Sequence, residues 1–291
     1  MNTYIWLVRR EFWENRAIWT IPAVIGGFLV LAALFGKVEG LGVASQMPGR
    51  AVNQLFLVAV GATFFTVMSI YSTWYLLDCL HADRKDRSVL FWKSLPISDT
   101  ATVLSKLLTA LIVIPLVYFA LANLTTLLMA FIISVRANSS IGGGLWHADL
   151  WFQLQVLWLY LIVTAAVWYL PIVAYLLVVS SWARRAVMLW SLLPPIALML
   201  AERWLFGTHV IAAQLWERVV GLVGAFNTNP DDGSWVVTSV GHDGTIRTPV
   251  SVWHLLDATG FLSSPETWLG VAVGVALMFC AVQLRTRRTE I

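Results

Sequence analysis

Long uninterrupted apolar segments dominate this chain, and short polar segments separate them. Six of them contain the roughly 20 apolar residues that a helix needs to cross a hydrocarbon core about 30 Å thick. The apolar residues do not alternate with polar ones, as they would in the strands of a membrane barrel, so the pattern predicts helices. The six predicted spans are residues 17–35, 54–77, 101–135, 150–181, 186–206 and 267–284.

The composition changes this picture only by strengthening it. Of the 291 residues, 59% are hydrophobic and only 12% are charged, whereas soluble domains carry about 25% charged residues. The sequence therefore predicts an all-α integral membrane protein with six transmembrane helices. It excludes a soluble globular domain, a disordered chain and a disulfide scaffold.

The placement of basic residues predicts the orientation of the spans. Thirteen of the 19 Lys and Arg residues lie on one side, in the segments 1–16, 78–106, 182–186 and 285–291. Basic residues in short loops mark the cytoplasmic side of a membrane protein. Both termini are therefore expected in the cytoplasm. Segment 1–16 is expected to form an amphipathic interfacial helix, because apolar and charged side chains follow each other there at helical spacing.

The segment between spans two and three carries the most informative pattern. We predict a short helix over residues 83–96, with Asp83 as its N-cap and with Val89, Trp92 and Leu95 on one face. Composition slightly favours a helix that rests on lipid headgroups. The position between two long spans favours a docking element that binds a cytosolic partner, and this is the interpretation we adopt.

This segment resembles the signature of a known transporter family. The run from Asp83 to Ser98 resembles the (D/E)-R-(K/R)-D-x-S-(I/V)-x-F-x-x-S-L-P-(I/V)-S motif of type-2 ABC exporter permeases. In that family the matching helix couples the permease to a separate ATPase subunit, and the resemblance implies the same role for ten residues here. They are Asp83, Arg84, Lys85, Asp86, Arg87, Val89, Leu90, Phe91, Trp92 and Leu95.

The resemblance also implies a set of partners. The chain lacks the G-x-x-x-x-G-K-[ST] loop that binds nucleotide phosphates, so it is not expected to be an enzyme or to hold a cofactor itself. ATP and magnesium would be bound by the cytosolic ATPase subunit. A second permease copy, identical or related, would enclose the path of an amphipathic, lipid-like or peptide substrate across the bacterial cytoplasmic (inner) membrane. Nucleic acid is not an expected partner, because the basic residues lie at membrane edges rather than along a groove.

Three polar residues within span three are candidates for the substrate path. Asn123, Thr125 and Thr126 lie in the apolar segment 101–135, and polar groups inside a membrane are functional candidates by default. The alternative is helix packing, which such residues serve more often.

The segment between spans five and six is long enough to form a small exterior α/β-hairpin excursion. It is expected to contain an amphipathic helix with Glu217 and Arg218 on its solvent-exposed face, and then a β-hairpin over residues 235–250. Its His and Asp residues match no established zinc spacing, so no metal site is predicted. The domain division is 1–16, 17–206 with the coupling helix 83–96, 207–265, and 266–291.

Two other classes of protein stay open. One is a membrane-integral enzyme that uses His and Asp residues of the exterior segment. The other is a non-transporting membrane anchor or immunity protein that binds a partner. Copurification of a cytosolic ATPase would distinguish the exporter from both.

Overall fold

Helices account for nearly all of the chain that the structure, a computed structural model, describes. The described residues are 3–36, 49–85, 98–136, 145–183, 185–222, 226, 239–240, 246–247 and 253–287. In chain order the main helices are α1 (Thr3–Glu14), α2 (Ala17–Phe35), α3 (Gly49–Lys85), α4 (Asp99–Leu108), α5 (Ile114–Arg136), α6 (Ala148–Trp168), α7 (Leu170–Trp182), α8 (Val187–Phe206), α9 (Val210–Val220), α10 (Ala258–Ser263) and α11 (Pro265–Arg287).

Six of these helical segments are long and apolar enough to cross a membrane, which confirms the six predicted spans as helices. Spans one, two, five and six are α2, α3, α8 and α11. Span three is formed by α4 and α5, which a π-helical turn over Thr109–Val113 joins into one segment. The amide of Ile114 donates to the carbonyl of Thr109, five residues back. This wide turn lies directly before Pro115, whose ring and missing N–H do not fit a regular α-helix interior.

Span four differs from the single helix that the sequence predicts over 150–181. It is broken into α6 and α7 at Tyr169, whose backbone has φ −85° and ψ 2°. Pro171 lies in the first turn of α7, where its missing N–H leaves no intrahelical bond unmade. The break therefore lies two residues before Pro171, a residue that does not fit the interior of a continuous helix.

Helix α1 and the end of α11, the first and last described helices, lie at one end of the helix bundle, which we call the base. Here α1 contacts the start of α4, and the last turn of α11 contacts the start of α4 and the end of α3. The end of α3 in turn contacts the residue that follows α7. At the opposite end Arg136 donates to the carbonyls of Ala33 and Gly36, at 2.5 and 3.1 Å, and so joins the ends of spans one and three. Asn53 in span two donates to the carbonyl of His147 at the start of span four.

Small residues set the closest helix contacts of the bundle. A Cβ atom added at Gly26 in α2 would lie 2.4 Å from the Oγ1 atom of Thr125 in α5. A Cβ atom added at Gly274 in α11 would lie 2.8 Å from the Cγ atom of Leu170 in α7. Small residues allow transmembrane helices to approach closely and gain van der Waals contact. Spans one and three, and spans four and six, are therefore tightly packed pairs.

The exterior segment is described only in part. The predicted helix is present as α9, and Ser239–Val240 pairs antiparallel with Ile246–Arg247 at the position of the predicted hairpin. The turn of that hairpin and its flanking residues lie outside the described residues. One detail of the prediction is wrong. Arg218 does not lie on a solvent-exposed face of α9, because its guanidinium carbon lies 4.3 Å from the centre of the Trp168 ring. Burial lowers the pKa of Arg218, and the carboxylate of Glu266 opposes this shift.

Candidate coupling site

A cluster of paired charges is buried at the base of the bundle. Lys106, at the third turn of span three, is only 2% exposed, and its Nζ atom lies 3.0 Å from Glu11 Oε1 and 3.4 Å from the carboxylate of Asp83. Arg285, near the end of span six, places its Nη1 atom 3.3 Å from Asp83 Oδ2 and its Nε atom 3.1 Å from Asp99 Oδ1. We call Glu11, Asp83, Asp99, Lys106 and Arg285 the ion cluster.

The ion cluster fixes α1 against the bundle through Glu11, which is 1% exposed. The hydroxyl of Tyr75 in span two donates to Glu11 Oε2 at 2.9 Å, and Arg10 pairs with Glu11 Oε1 at 3.1 Å. Leu7, one turn before Glu11, is also buried. One side of α1 therefore contacts protein, while Trp6 and Trp13 are exposed.

Charge balance explains why this cluster can be buried. Three carboxylates, those of Glu11, Asp83 and Asp99, are paired with the cations of Arg10, Lys106 and Arg285. Isolated buried charges cost several kcal/mol, and only close pairing with further hydrogen bonds offsets that cost. Such a network holds its members in one arrangement, because displacing one member leaves another charge unpaired.

A second contact joins the end of span two to the end of span four. The Ser180 hydroxyl in α7 donates to the carbonyl of Leu77 at 2.7 Å and accepts from the amides of Leu80 and His81 at 3.2 and 3.1 Å. Arg84 donates to the carbonyls of Ser180 and Ala183, the latter at 2.9 Å. The last turn of α3 is therefore tied to the last turn of α7.

The start of span three is also well defined. The Ser98 hydroxyl accepts a hydrogen bond from the amide of Ala101 at 3.2 Å, so Ser98 is the N-cap of α4. Asp99 lies in the first helical turn, where a negative charge is favourable against the helix dipole. The same carboxylate pairs with Arg285, so the first turn of span three belongs to the ion cluster.

The structure places the predicted coupling residues in two groups. Asp83 and Arg84 do not begin a separate helix, because α3 runs through Lys85 without a break. Asp83 belongs to the ion cluster, and Arg84 contacts the end of α7. Lys85 is the last residue of α3. The other predicted residues lie outside the described residues, so their role stays a prediction: Asp86, Arg87, Val89, Leu90, Phe91, Trp92 and Leu95.

The candidate path residues face the interior of the chain. Thr125 is buried against Gly26 of span one, and Thr126 is buried with its hydroxyl bonded to the carbonyl of Ala122 at 2.7 Å. The Asn123 amide donates to the carbonyl of Phe119 at 2.9 Å. Thr125 therefore packs between two spans, whereas the bonds of Asn123 and Thr126 lie within α5, and a role in the substrate path stays a prediction.

Sequence reasoning did not single out Glu11, Tyr75 and Arg285. Glu11 and Lys106 are 95 positions apart, and no local pattern indicates a pair so far apart in sequence. One signal was present, since Lys106 is an ionisable residue inside an apolar segment and such residues usually have a charged partner.

Within the part of the chain that is described, no group of three or more His, Cys, Asp or Glu side chains could hold a metal ion. In comparisons with models of protein families, with curated proteins and with solved structures, nothing matches this chain. Inferences about function therefore rest on the sequence motif and on the geometry of the base.

Proposed function

We propose that this chain is the transmembrane permease subunit of an ATP-driven ABC exporter, in which the segment 83–96 docks a separate cytosolic ATPase. The observation that carries this proposal is the ion cluster, which lies at both ends of that segment. Asp83 is its first residue, at the end of span two, and Asp99 follows it at the start of span three. A docking element can transmit force only if its ends are firmly joined to the spans that it moves.

The contacts at the base give this transmission a physical route. When ATP closes the ATPase dimer, the coupling helix is displaced and pulls on α3 and α4, to which its ends are joined. The ion cluster joins these two helices to α1 and α11, and Ser180 with Arg84 joins α3 to α7. Spans two, three, four and six then move as a unit, because separating them would leave buried charges unpaired.

The remaining parts of the proposal complete the assembly. Both termini and the base face the cytoplasm, α1 lies in the membrane interface, and a second permease copy encloses the substrate path. The cargo is an amphipathic or lipid-like molecule or a peptide, exported across a bacterial cytoplasmic membrane. The chain itself catalyses no reaction, and the ATPase subunit holds ATP and magnesium. The hairpin over 235–250 covers the exit on the outer side.

Copurification of the ATPase tests the proposal directly. A tagged chain extracted from its native membrane in mild detergent should retain a soluble protein with Walker motifs, identified by mass spectrometry. Trp92→Ala should weaken that association by about 2 kcal/mol, or about 30-fold, because a buried aromatic anchor contributes about that much. Trp204→Ala is the matched control, since Trp204 is exposed at the end of span five, away from the base.

Three outcomes would contradict the proposal or one part of it. Absence of any Walker-motif protein from the wild-type preparation would favour an anchor or immunity protein. Substrate turnover by the purified chain alone would favour a membrane-integral enzyme. If Trp92→Ala retains the ATPase at the wild-type level, the result would be compatible with an exporter but would reject segment 83–96 as its docking element.

The orientation can be tested independently by cysteine labelling. In a background without Cys79 and Cys280, a membrane-impermeant maleimide added to whole cells should label Asp243→Cys and not Arg184→Cys. Permeabilised cells should show labelling at both positions. Labelling of Arg184→Cys alone in intact cells would show that the orientation is the reverse of the proposed one. Labelling of both variants in intact cells would contradict the six-span topology.

A further inference from the structure

Arg218, in the last turn of α9, places its guanidinium between spans four and six. The ring of Trp168 in span four covers one face of the guanidinium, whose carbon lies 4.3 Å from the ring centre. On span six, a Cβ atom added at Gly270 would lie 1.0 Å from Arg218 Nη2. The guanidinium can occupy this place only because residue 270 has no side chain.

This guanidinium differs from the other enclosed cations of the bundle in having no oxygen partner. Among the described residues, no oxygen accepts a hydrogen bond from it. The carboxylate of Glu266, in the first turn of span six, is close enough to act on its charge but forms no ion pair with it. The other partly or fully buried cations of the described residues all bond to carboxylates or carbonyls: Arg10, Arg84, Lys106 and Arg285.

Stacking on an indole ring leaves the donors of an arginine available. The ring contacts the face of the guanidinium, whereas its five N–H groups lie in the plane and point outward from the edge. Arg218 is only partly buried, and none of its nitrogen atoms is both fully enclosed and unbonded. An anion can therefore reach this edge without displacing Trp168.

The guanidinium lies near the membrane surface opposite the base. Gly270 is about 8 Å of helix from Pro265, where span six begins, and about 22 Å from Arg285. Trp268, two residues before Gly270, is exposed, and tryptophans near span ends are typical of the layer between hydrocarbon and headgroups. Headgroups can approach a charge at this depth through small local adjustments of the bilayer. A headgroup phosphate can therefore meet Arg218.

Exposed apolar side chains lie beside the guanidinium. Leu269 is next to Gly270, Val273 follows one turn later, and both are exposed on span six. Trp216, two residues before Arg218, is exposed on α9. Because span six is long and apolar enough to cross a membrane, its exposed apolar side chains would contact lipid acyl chains. A lipid whose phosphate binds Arg218 would find apolar contacts for its chains.

We propose that Arg218, held against Trp168 and Gly270, binds the phosphate group of an anionic phospholipid in the leaflet opposite the base. Arginine binds phosphate through paired, charge-assisted hydrogen bonds, and phosphate is an anion that the bilayer itself presents at this depth. A lipid without a cationic headgroup is favoured, because an ammonium group on the lipid would compete for the same phosphate. The proposal depends on the membrane location of the bundle and not on the identity of any ATPase.

Titration of the purified full chain with phosphatidylglycerol, followed by native mass spectrometry, measures the affinity for the first bound lipid. Arg218→Gln should weaken this affinity about tenfold, because it removes charge-assisted hydrogen bonds to the phosphate. Gly270→Ala should also weaken it, since the added methyl group displaces the guanidinium but leaves its charge. Arg203→Gln is the matched control. Arg203 is exposed near the same end of span five, and its loss should leave the affinity unchanged.

Competition distinguishes a lipid from a soluble phosphate. Inorganic phosphate and glycerophosphoglycerol, the headgroup without acyl chains, should not displace the bound lipid, because they lack the apolar contacts. Displacement by either compound at the concentration of the lipid would overturn the lipid assignment.

Three other results would overturn the proposal. Wild-type affinity in Arg218→Gln would show that this guanidinium does not bind the lipid. An equal loss in Arg203→Gln would indicate unspecific attraction to positive charge. Equal affinity for phosphatidylcholine would show that the site does not select an anionic headgroup.

Discussion

Removing the charge of Lys106 perturbs the ion cluster at its most buried cation, which is 2% exposed. Lys106→Met keeps the length and apolar character of the side chain but leaves Glu11 and Asp83 without the cation that lies 3.0 and 3.4 Å away. Breaking a buried pair from one side costs about 3–5 kcal/mol. We expect a loss of about 3 kcal/mol in the free energy of unfolding, the low end of that range, because Glu11 keeps Arg10 and Asp83 keeps Arg285.

A double-mutant cycle separates pairing from simple loss of packing. Glu11→Gln removes the opposite charge, and the double variant Glu11→Gln/Lys106→Met restores charge balance. The double variant should therefore lose about 2 kcal/mol less in the free energy of unfolding than the sum of the losses of the two single variants. Unfolding in mixed micelles of dodecyl maltoside and increasing SDS, followed by tryptophan fluorescence, gives the four free energies.

A matched control and a clear refutation complete this test. Arg9→Met also removes a cation from the base, but Arg9 is exposed, so the free energy of unfolding should change by about 0.5 kcal/mol or less. A coupling energy below about 0.5 kcal/mol in the cycle would show that Glu11 and Lys106 act independently. The claim that the base is held together by paired charges would then be wrong.

Three further predictions concern other contacts of the fold. Gly26→Ala should cost about 1–3 kcal/mol in the same unfolding assay, since its Cβ would meet Thr125, while Gly27→Ala should be tolerated because nothing lies within 4 Å of the added atom. Gly207→Ala should cost about 1–2 kcal/mol because of its positive φ, again measured by SDS titration. Ser180→Ala removes the hydroxyl that bonds α3 to α7, so hydrogen exchange at the Leu80 amide should accelerate. Unchanged protection of that amide would contradict the proposed contact between spans two and four.

The spans could be predicted from the sequence because the bilayer imposes a simple length and composition requirement on each of them. Each predicted span is helical in the structure, although span four is broken at Tyr169 instead of forming the single predicted helix. The N-cap Ser98 could also be predicted, since capping is a local interaction between residues three apart.

The ion cluster could not be predicted in the same way. Its members come from four helices, and the pairing of Glu11 with Lys106 depends on the packing of α1, which no sequence period specifies. Arg218 shows the same limit. Its position on the helical wheel is polar, but only the structure shows that this side faces the ring of Trp168. Helical periodicity defines which residues share a face, and it does not say whether that face meets water or protein.

The most direct test of the central claim is a photo-crosslink from the predicted docking segment in living cells. A benzoyl-phenylalanine placed at Phe91 should, on irradiation, form a covalent product with a cytosolic protein that carries Walker motifs, identified by mass spectrometry. The same group placed at Trp204, at the end of span five, should form no such product. Docking of an ATPase on segment 83–96 requires the crosslink at Phe91, and a result in which Phe91 yields only lipid adducts, or the same products as Trp204, would contradict the account.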